Sequence, residues 1–340
     1  MKDSSYSPLR LHVISKNRLY HRALKREMNV WRSNNVEADL DSVQFLTTNI
    51  SYSGKNITLS RNRDWIEFIS SLGSFEKGLI LGGGNAKFET YLLKKGTVKT
   101  FENLDIVFKK NETERGANQF ADLNFVTLEE NTYDIIIAKS ILHHIINLEH
   151  LLTQVNKALK KDGIFVMLEY IGESKQQWSN NKIRFINGLL KNFDLEISKG
   201  VYDNTVPFES IRSEEIPGII NQIFSETKII EHKWDYVYSA AKLGLYHYNL
   251  QNNVVQRDKG ITIYEEAIKN SEKEAIKYNL LPTIMFGAYK KNNNNFKLEV
   301  EKWDRKKTKK ELELNFNNMP YSFQKKIKIK VRDYYNYLFT

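Results

Sequence analysis

Three groups of residues in this chain have the types and spacing to do chemistry. The first is Gly82-Gly83-Gly84, which follows the apolar run Leu79-Ile80-Leu81 and precedes a segment of helical periodicity closed by Gly96. Glycines at a strand-to-helix turn let the backbone come close to a ligand or to its own sheet. The second is a pair of acids, Glu102 and Asp105, 18 and 21 residues beyond Gly84. Either can accept two ribose hydroxyls through charge-assisted bonds, or simply end its strand. The third is His143-His144 together with Glu169 and Tyr170. Imidazole is matched to proton transfer near neutral pH, whereas a carboxylate needs burial to raise its pKa.

Each group also excludes something. A dinucleotide turn needs G-x-G-x-x-G, and the third position here is Lys87. The looser G-x-G-N-A turn suffices for a nucleoside ligand without a pyrophosphate. The segment HHIINLEH matches no zinc spacing, and adjacent histidines do not easily share one ion, so no metal is expected. Ser140 lacks the G-x-S-x-G elbow of a serine nucleophile. The competing structural roles are plain. His143 and His144 pack at a helix start with one ring turned away, and Glu169 pairs with Arg212. Trp178, Arg212 and the aromatic segment around Trp234, Tyr236 and Tyr238 form either a lid over an acceptor or part of the core.

The elements that must position these residues follow a strand–helix–strand rhythm from Gly78 onward. TVKTFENLDIV, NQFADLNFVTL, YDIIIAKSIL and IFVMLEYIG read as strands, and NLEHLLTQVNKALKKDG as a helix stopped by Gly163. Near-continuous apolar strands alternating with helices predict a parallel sheet covered on both faces. Residues 1–75 read as a polar N-terminal extension with a helix through NRLYHRALKREMNVWR. Residues 76–291 form the main domain, with inserts at 173–226 and 233–282. A further helix is expected at 180–192, an irregular stretch up to Ser225, and late strands at 227–232 and 283–290. Residues 292–340 form a basic C-terminal extension.

At 340 residues, with 41% hydrophobic and 12% aromatic residues, the chain supports a substantial core. It has no cysteine, hence no disulfide and no thiolate site, and no long apolar segment. A cytoplasmic protein is the expectation. The net charge is +10, and most of the excess lies after Lys291. That tail also carries Trp303, Leu312, Leu314, Phe316, Tyr334, Tyr335, Tyr337, Leu338 and Phe339, large apolar groups for which an electrostatic arm has little use. Docking on the domain or on a second copy in a homodimer is therefore expected, and nucleic acid is not expected as a partner.

The order LILGGGNAKF, VKTFENLDI, ADLNFVTL, YDIIIAKSILHHI, LKKDGIFVMLEYIG resembles the successive motifs of class I S-adenosylmethionine-dependent methyltransferases. LEYIGESKQQW and VPFESIRSEEI are similar to a bacterial subgroup that often appears alongside glycan or secondary-metabolite enzymes. The resemblance implies a Rossmann-like α/β fold, a seven-stranded methyltransferase sheet with helices on both faces, plus N- and C-terminal extensions. It implies S-adenosylmethionine as cofactor, with its methionine part along Gly82, Gly84 and Asn85. Asp105 would hold the ribose, Asp122 with Leu123 the adenine, and Ser140 the cofactor side of the fourth strand's end. His144 and Glu169 become the candidate catalytic bases, and His143, Tyr170, Trp178 and Arg212 the substrate contacts. The acceptor would be a small molecule or glycan precursor methylated on oxygen. Alternatives are an N-methyltransferase of a small molecule or peptide, and a non-catalytic methyltransferase-like binding module. The last is motivated by Ile80, where the family often has an acid; Ala86 and Glu173 also depart from the pattern.

Removal of residues 296–340 should lower the thermal midpoint or change the oligomeric mass. Salt-sensitive RNA affinity lost with both unchanged would instead identify a nucleic-acid arm.

Overall fold

The computed structural model describes residues 18–33, 47–52, 55–60, 67–84, 87–107, 116–174, 179–190, 206–224, 226–233 and 284–294. Helix α1 (Arg18–Ser33) is followed by a hairpin of β1 (Thr47–Tyr52) and β2 (Lys55–Ser60). Then come β3 (Phe75–Leu81), α2 (Lys87–Lys94), β4 (Val98–Asp105), β5 (Gly116–Phe120) and β6 (Tyr133–Lys139). These are followed by α3 (Leu148–Ala158), β7 (Leu159–Tyr170), α4 (Asn180–Leu190), α5 (Ile216–Ile223), β8 (Glu226–Lys233) and β9 (Ile284–Lys290).

The main sheet runs β5-β4-β3-β6-β7-β9-β8. Pairing is parallel from β5 through β7, as the apolar runs predict. β9 is antiparallel to both β7 and β8, so the sheet as a whole is mixed. Strand alternation explains why the central strands are apolar at consecutive positions. Leu79 and Leu81 face one side with Ile136, Ala138, Phe165 and Met167, covered by α3 and α5. Ile80 faces the other with Ile135, Ile137, Val166 and Leu168, covered by Leu92 of α2 and Ile69 of the helical residues 67–71. In register, Leu81 lies opposite Leu104 and Ala138, and Ala138 opposite Met167. The carboxyl ends of four strands therefore finish level, which places Gly82, Asp105, Ser140 and Glu169 along one edge.

Three local differences from the sequence reading have physical causes. The third helix ends at Ala158 rather than at Gly163, because Leu159 is already extended and begins β7. Gly163 instead permits close backbone approach: a Cβ there would lie 2.9 Å from the Tyr133 carbonyl oxygen. In the stretch expected to be irregular, IPGIINQI forms α5, since its proline sits in the first turn, where no helical N–H is needed. The hairpin β1–β2 was also unexpected within the polar N-terminal segment. Its signal is the Ser53-Gly54 pair between Tyr52 and Lys55, which are opposed in register.

Gly78 packs closely in the central sheet: a Cβ there would lie 2.3 Å from the Phe101 ring. Gly78→Ala should cost about 1–3 kcal/mol in denaturant unfolding through overpacking. An unchanged midpoint would show that the ring moves aside freely.

Candidate functional site

The glycine turn is built against two neighbours. Gly82 and Gly84 have left-handed backbones, with φ of 70° and 58°. A Cβ on Gly82 would lie 2.5 Å from Ile141 Cγ1, so the turn packs directly on the segment that leads into His143 and His144. A Cβ on Gly84 would meet nothing within 4 Å, which leaves that side of the turn open. All three glycine N–H groups are spent on β4. Gly82 donates to the Leu104 carbonyl (2.8 Å), Gly83 to Asn103 Oδ1 (3.0 Å) and Gly84 to Asp105 Oδ2 (2.8 Å). A phosphate cradle needs such donors free, and this turn does not offer them.

The two acids differ in position and partners. Glu102 lies within β4, paired with Lys77 at 2.6 Å and accepting from Tyr133 Oη. Lys77 and Tyr133 hold its pKa down against the opposing effect of burial. Asp105 closes the strand beside the turn, and its Oδ1 accepts the Val107 N–H at 2.8 Å. Burial pushes its carboxyl up, opposed by the backbone N–H groups of Val107, Gly84 and Ile106.

Asp122 lies on the same edge but is already engaged. Both its oxygens face Tyr20 Oη of α1, at 3.0 and 2.8 Å, and Oδ1 also accepts the Asn124 N–H. Burial and the neighbouring carboxylate push the Tyr20 phenol up, so it stays a donor. Leu123 is buried in the core below. Asn124 accepts the N–H groups of Ile146 and Asn147 at 2.9 and 3.0 Å, tying this loop to the histidine segment.

Glu169 is 1% exposed and is filled by four donors. Its Oε2 accepts the N–H groups of Ile141 (2.9 Å) and Leu142 (2.6 Å). Its Oε1 accepts the Tyr170 N–H (3.0 Å) and contacts His143 Nδ1. A carboxylate has about four lone-pair directions, so none is left for an acceptor proton. This corrects the expectation of Glu169 as a base: its geometry is that of a positioning residue.

Arg212 is corrected in the same way. It does not pair with Glu169. Its donors go to Glu149 (2.8 and 2.9 Å), the Ile146 carbonyl (2.7 Å) and Glu215. All five N–H groups are committed and the side chain is 2% exposed, which removes it from the substrate contacts. The acids hold its pKa above the ordinary value despite burial.

His143 and His144 are both buried, in a 3₁₀ turn covering Leu142–His144. The sequence predicts one ring turned away from the other. Instead their centroids lie 4.2 Å apart at 41°, and both Nε2 atoms face Glu209, at 3.7 and 3.6 Å. The cause is that each Nδ1 is drawn by a different carboxylate: Glu169 for His143, and Glu27 of α1, at 3.0 Å, for His144. Burial lowers the His144 pKa, but Glu209 and Glu27 outweigh it and hold the ring at about 9. Glu27 and Glu209 were not singled out in the sequence. The only trace of Glu27 was an acid on the apolar stripe of Tyr20, Ala23 and Leu24.

Tyr170 is half-buried and its Oη donates to Glu173 at 3.3 Å. Ser140 is exposed, with φ of 53°. Asn85, Trp178, the aromatic segment 234–248 and the C-terminal extension from 295 onward lie outside the described residues. Among the described residues, no helix is long and apolar enough to cross a membrane.

A family profile described as a methyltransferase domain matches residues 56–230, just over half of the chain. The human mitochondrial arginine-hydroxylase NDUFAF5 is 28% identical over 161 residues, 46% of this chain and 43% of that protein. This chain thus aligns with less than half the length of that relative. Among solved structures, a Haemonchus contortus phosphoethanolamine N-methyltransferase in complex with S-adenosyl-L-methionine overlaps 77% of this chain and 60% of its own. It does so at 13% identity and a TM-score of 0.44. Geranyl diphosphate C-methyltransferase from Streptomyces coelicolor overlaps 79% of this chain and 98% of its own, at 10% identity and a TM-score of 0.46.

Two substitutions check the buried polar framework. Glu169→Gln should destabilise the fold, with about 1–3 kcal/mol for each backbone donor left facing an amide nitrogen. Arg212→Met should cost about 3–5 kcal/mol by stranding Glu149. Chemical unfolding measures both; wild-type midpoints would show that neither group carries its surroundings.

Proposed function

We propose that this chain, which belongs to the methyltransferase-domain family, transfers the methyl group of S-adenosylmethionine to an oxygen of a small-molecule or glycan-precursor acceptor. The observation that carries the reading is the turn itself. Its open side at Gly84, its spent N–H donors and its link to Asp105 suit a nucleoside ligand that brings no phosphate. S-adenosylmethionine is the cofactor that fits this family and this turn. When bound, it supplies a methyl carbon activated by the sulfonium charge.

The remaining work falls to the chain's own residues. Gly82, Gly84 and Asn85 line the methionine portion, and Asp105 accepts the ribose hydroxyls. Asp122 meets the adenine with Leu123 in the core beneath it, and Tyr20 is the donor that the ligand must share or displace. Ser140 borders the cofactor. Transfer needs the acceptor oxygen in line and at near-attack distance, with its proton taken up. The Glu209 carboxylate takes that proton beside the His144 ring, which its carboxylate neighbours keep protonated, and Glu169 orients His143 beside it. Tyr170 and Trp178 contact the acceptor. Residues 1–75 act as a cap, 76–291 as the catalytic domain and 292–340 as a docking extension, in a cytoplasmic protein able to self-associate.

One observation favours a second reading. Ile80, where the family often has an acid, is 2% exposed within the core. The turn therefore lacks one anchor, which suits a binding module that holds the cofactor without reacting.

Calorimetry with S-adenosylhomocysteine tests the first reading. Native protein should bind at micromolar or tighter, and Asp105→Ala at least tenfold more weakly. No binding below millimolar would overturn it. Transfer of a radiolabelled methyl group to fractionated metabolites separates enzyme from module, and label found only in RNA would overturn the acceptor class.

A further inference from the structure

We infer that His143 Nε2, His144 Nε2 and the Glu209 carboxylate form a binding site for one divalent first-row transition-metal ion. Their ligand atoms all lie within 4.8 Å of one another. His143 Nε2 lies 3.7 Å from Glu209 Oε1 and His144 Nε2 lies 3.6 Å from Oε2, both too long for hydrogen bonds. Two ligand atoms each about 2.0–2.2 Å from one tetrahedral ion lie about 3.3–3.6 Å apart. Both gaps are close to the spacing that a shared ion sets. An ordinary buried histidine of the same chain behaves differently: His150 Nε2 closes to 2.6 Å on the Val126 carbonyl.

The surroundings support the same assignment. Each imidazole has its other nitrogen against a buried carboxylate, Glu169 for His143 and Glu27 for His144. Carboxylate–imidazole pairs of this kind fix ring orientation and raise ligand basicity at metal sites. Three carboxylates thus converge on two imidazoles, and a cation offsets the excess negative charge where a ring proton otherwise must. The backbone on both sides is held in the left-handed region, at Ser140 (φ 53°) ahead of the histidines and Ser210 (φ 51°) directly after Glu209. Such conformations cost energy and persist where the surrounding structure over-determines them, often at functional sites.

Three protein ligands leave coordination positions open. Two imidazoles and one carboxylate suit zinc or ferrous iron. At the carboxyl edge of the sheet beside Gly82, an open position can take an acceptor oxygen and lower its pKa, the task otherwise given to the His144–Glu209 pair. That catalytic role rests on the methyltransferase reading; ion binding does not.

The test uses the full chain, stripped of metal by chelator dialysis, without cofactor or acceptor. Titration with Co²⁺ should give visible d–d bands that saturate at one equivalent and are displaced by Zn²⁺. Glu209→Gln and His144→Gln should each weaken Co²⁺ binding at least tenfold while far-ultraviolet dichroism is retained. If His144→Gln does not fold, Glu209→Gln at the half-buried rim decides alone. Absence of saturable bands in native protein, or equal saturation in Glu209→Gln, overturns the site. S-adenosylhomocysteine binding by the same metal-free protein reports on the cofactor reading separately, so each can fail without the other.

Discussion

One buried carboxylate organises this site. Glu169 lies at the carboxyl end of β7, yet it gathers the backbone of Ile141 and Leu142 beyond β6 and turns the ring of His143. The desolvation of that charge is offset by directed hydrogen bonds, which act only while the two strand ends stay level. Their parallel register and the position of the histidine turn are therefore held by the same group. Ile141 in turn abuts the position where Gly82 would carry a side chain. The glycine turn, the histidine pair and the strand ends are one mechanical unit.

Around that unit the chain separates two kinds of polar burial. Arg212 with Glu149 and Glu215 is closed, every donor matched, and it braces the segment that carries Glu209. The histidine pair is not closed: each ring has one nitrogen against a carboxylate and faces a longer gap on the other. In a close-packed interior, matched groups hold a backbone in place, whereas groups held short of contact point to something beyond the protein.

The central sheet was legible because its signal is local. Leu79-Ile80-Leu81, Ile135-Ile136-Ile137 and Phe165-Val166-Met167 can be consecutive only when both faces are covered. Asp105 was one of two candidates by spacing, and the resemblance singled it out. The site's polar partners were less accessible. Glu27 meets Phe208 across 181 positions of chain, and no local pattern reports such a pairing. Proline and glycine in IPGIINQI read as breakers because their meaning depends on which turn of a helix they occupy. Arg212 invited a substrate role by its residue type, but the three-dimensional count of its donors excluded one.

The attachment of α1 has a consequence for how the molecule assembles. Its anchors, Tyr20 on Asp122 and Glu27 on the Phe208 N–H, join positions 102 and 181 residues apart. Each closes a long loop of chain, whereas β3 and β4 pair with a single short helix between them. Contacts of such separation form late, once the sheet supplies both partners. They also rest on a small apolar patch of Tyr20, Ala23, Ile146, Phe208 and Ile211 rather than on the main core. Among the described elements, α1 should therefore dock after the central sheet has formed and exchange its amide protons before the central strands do.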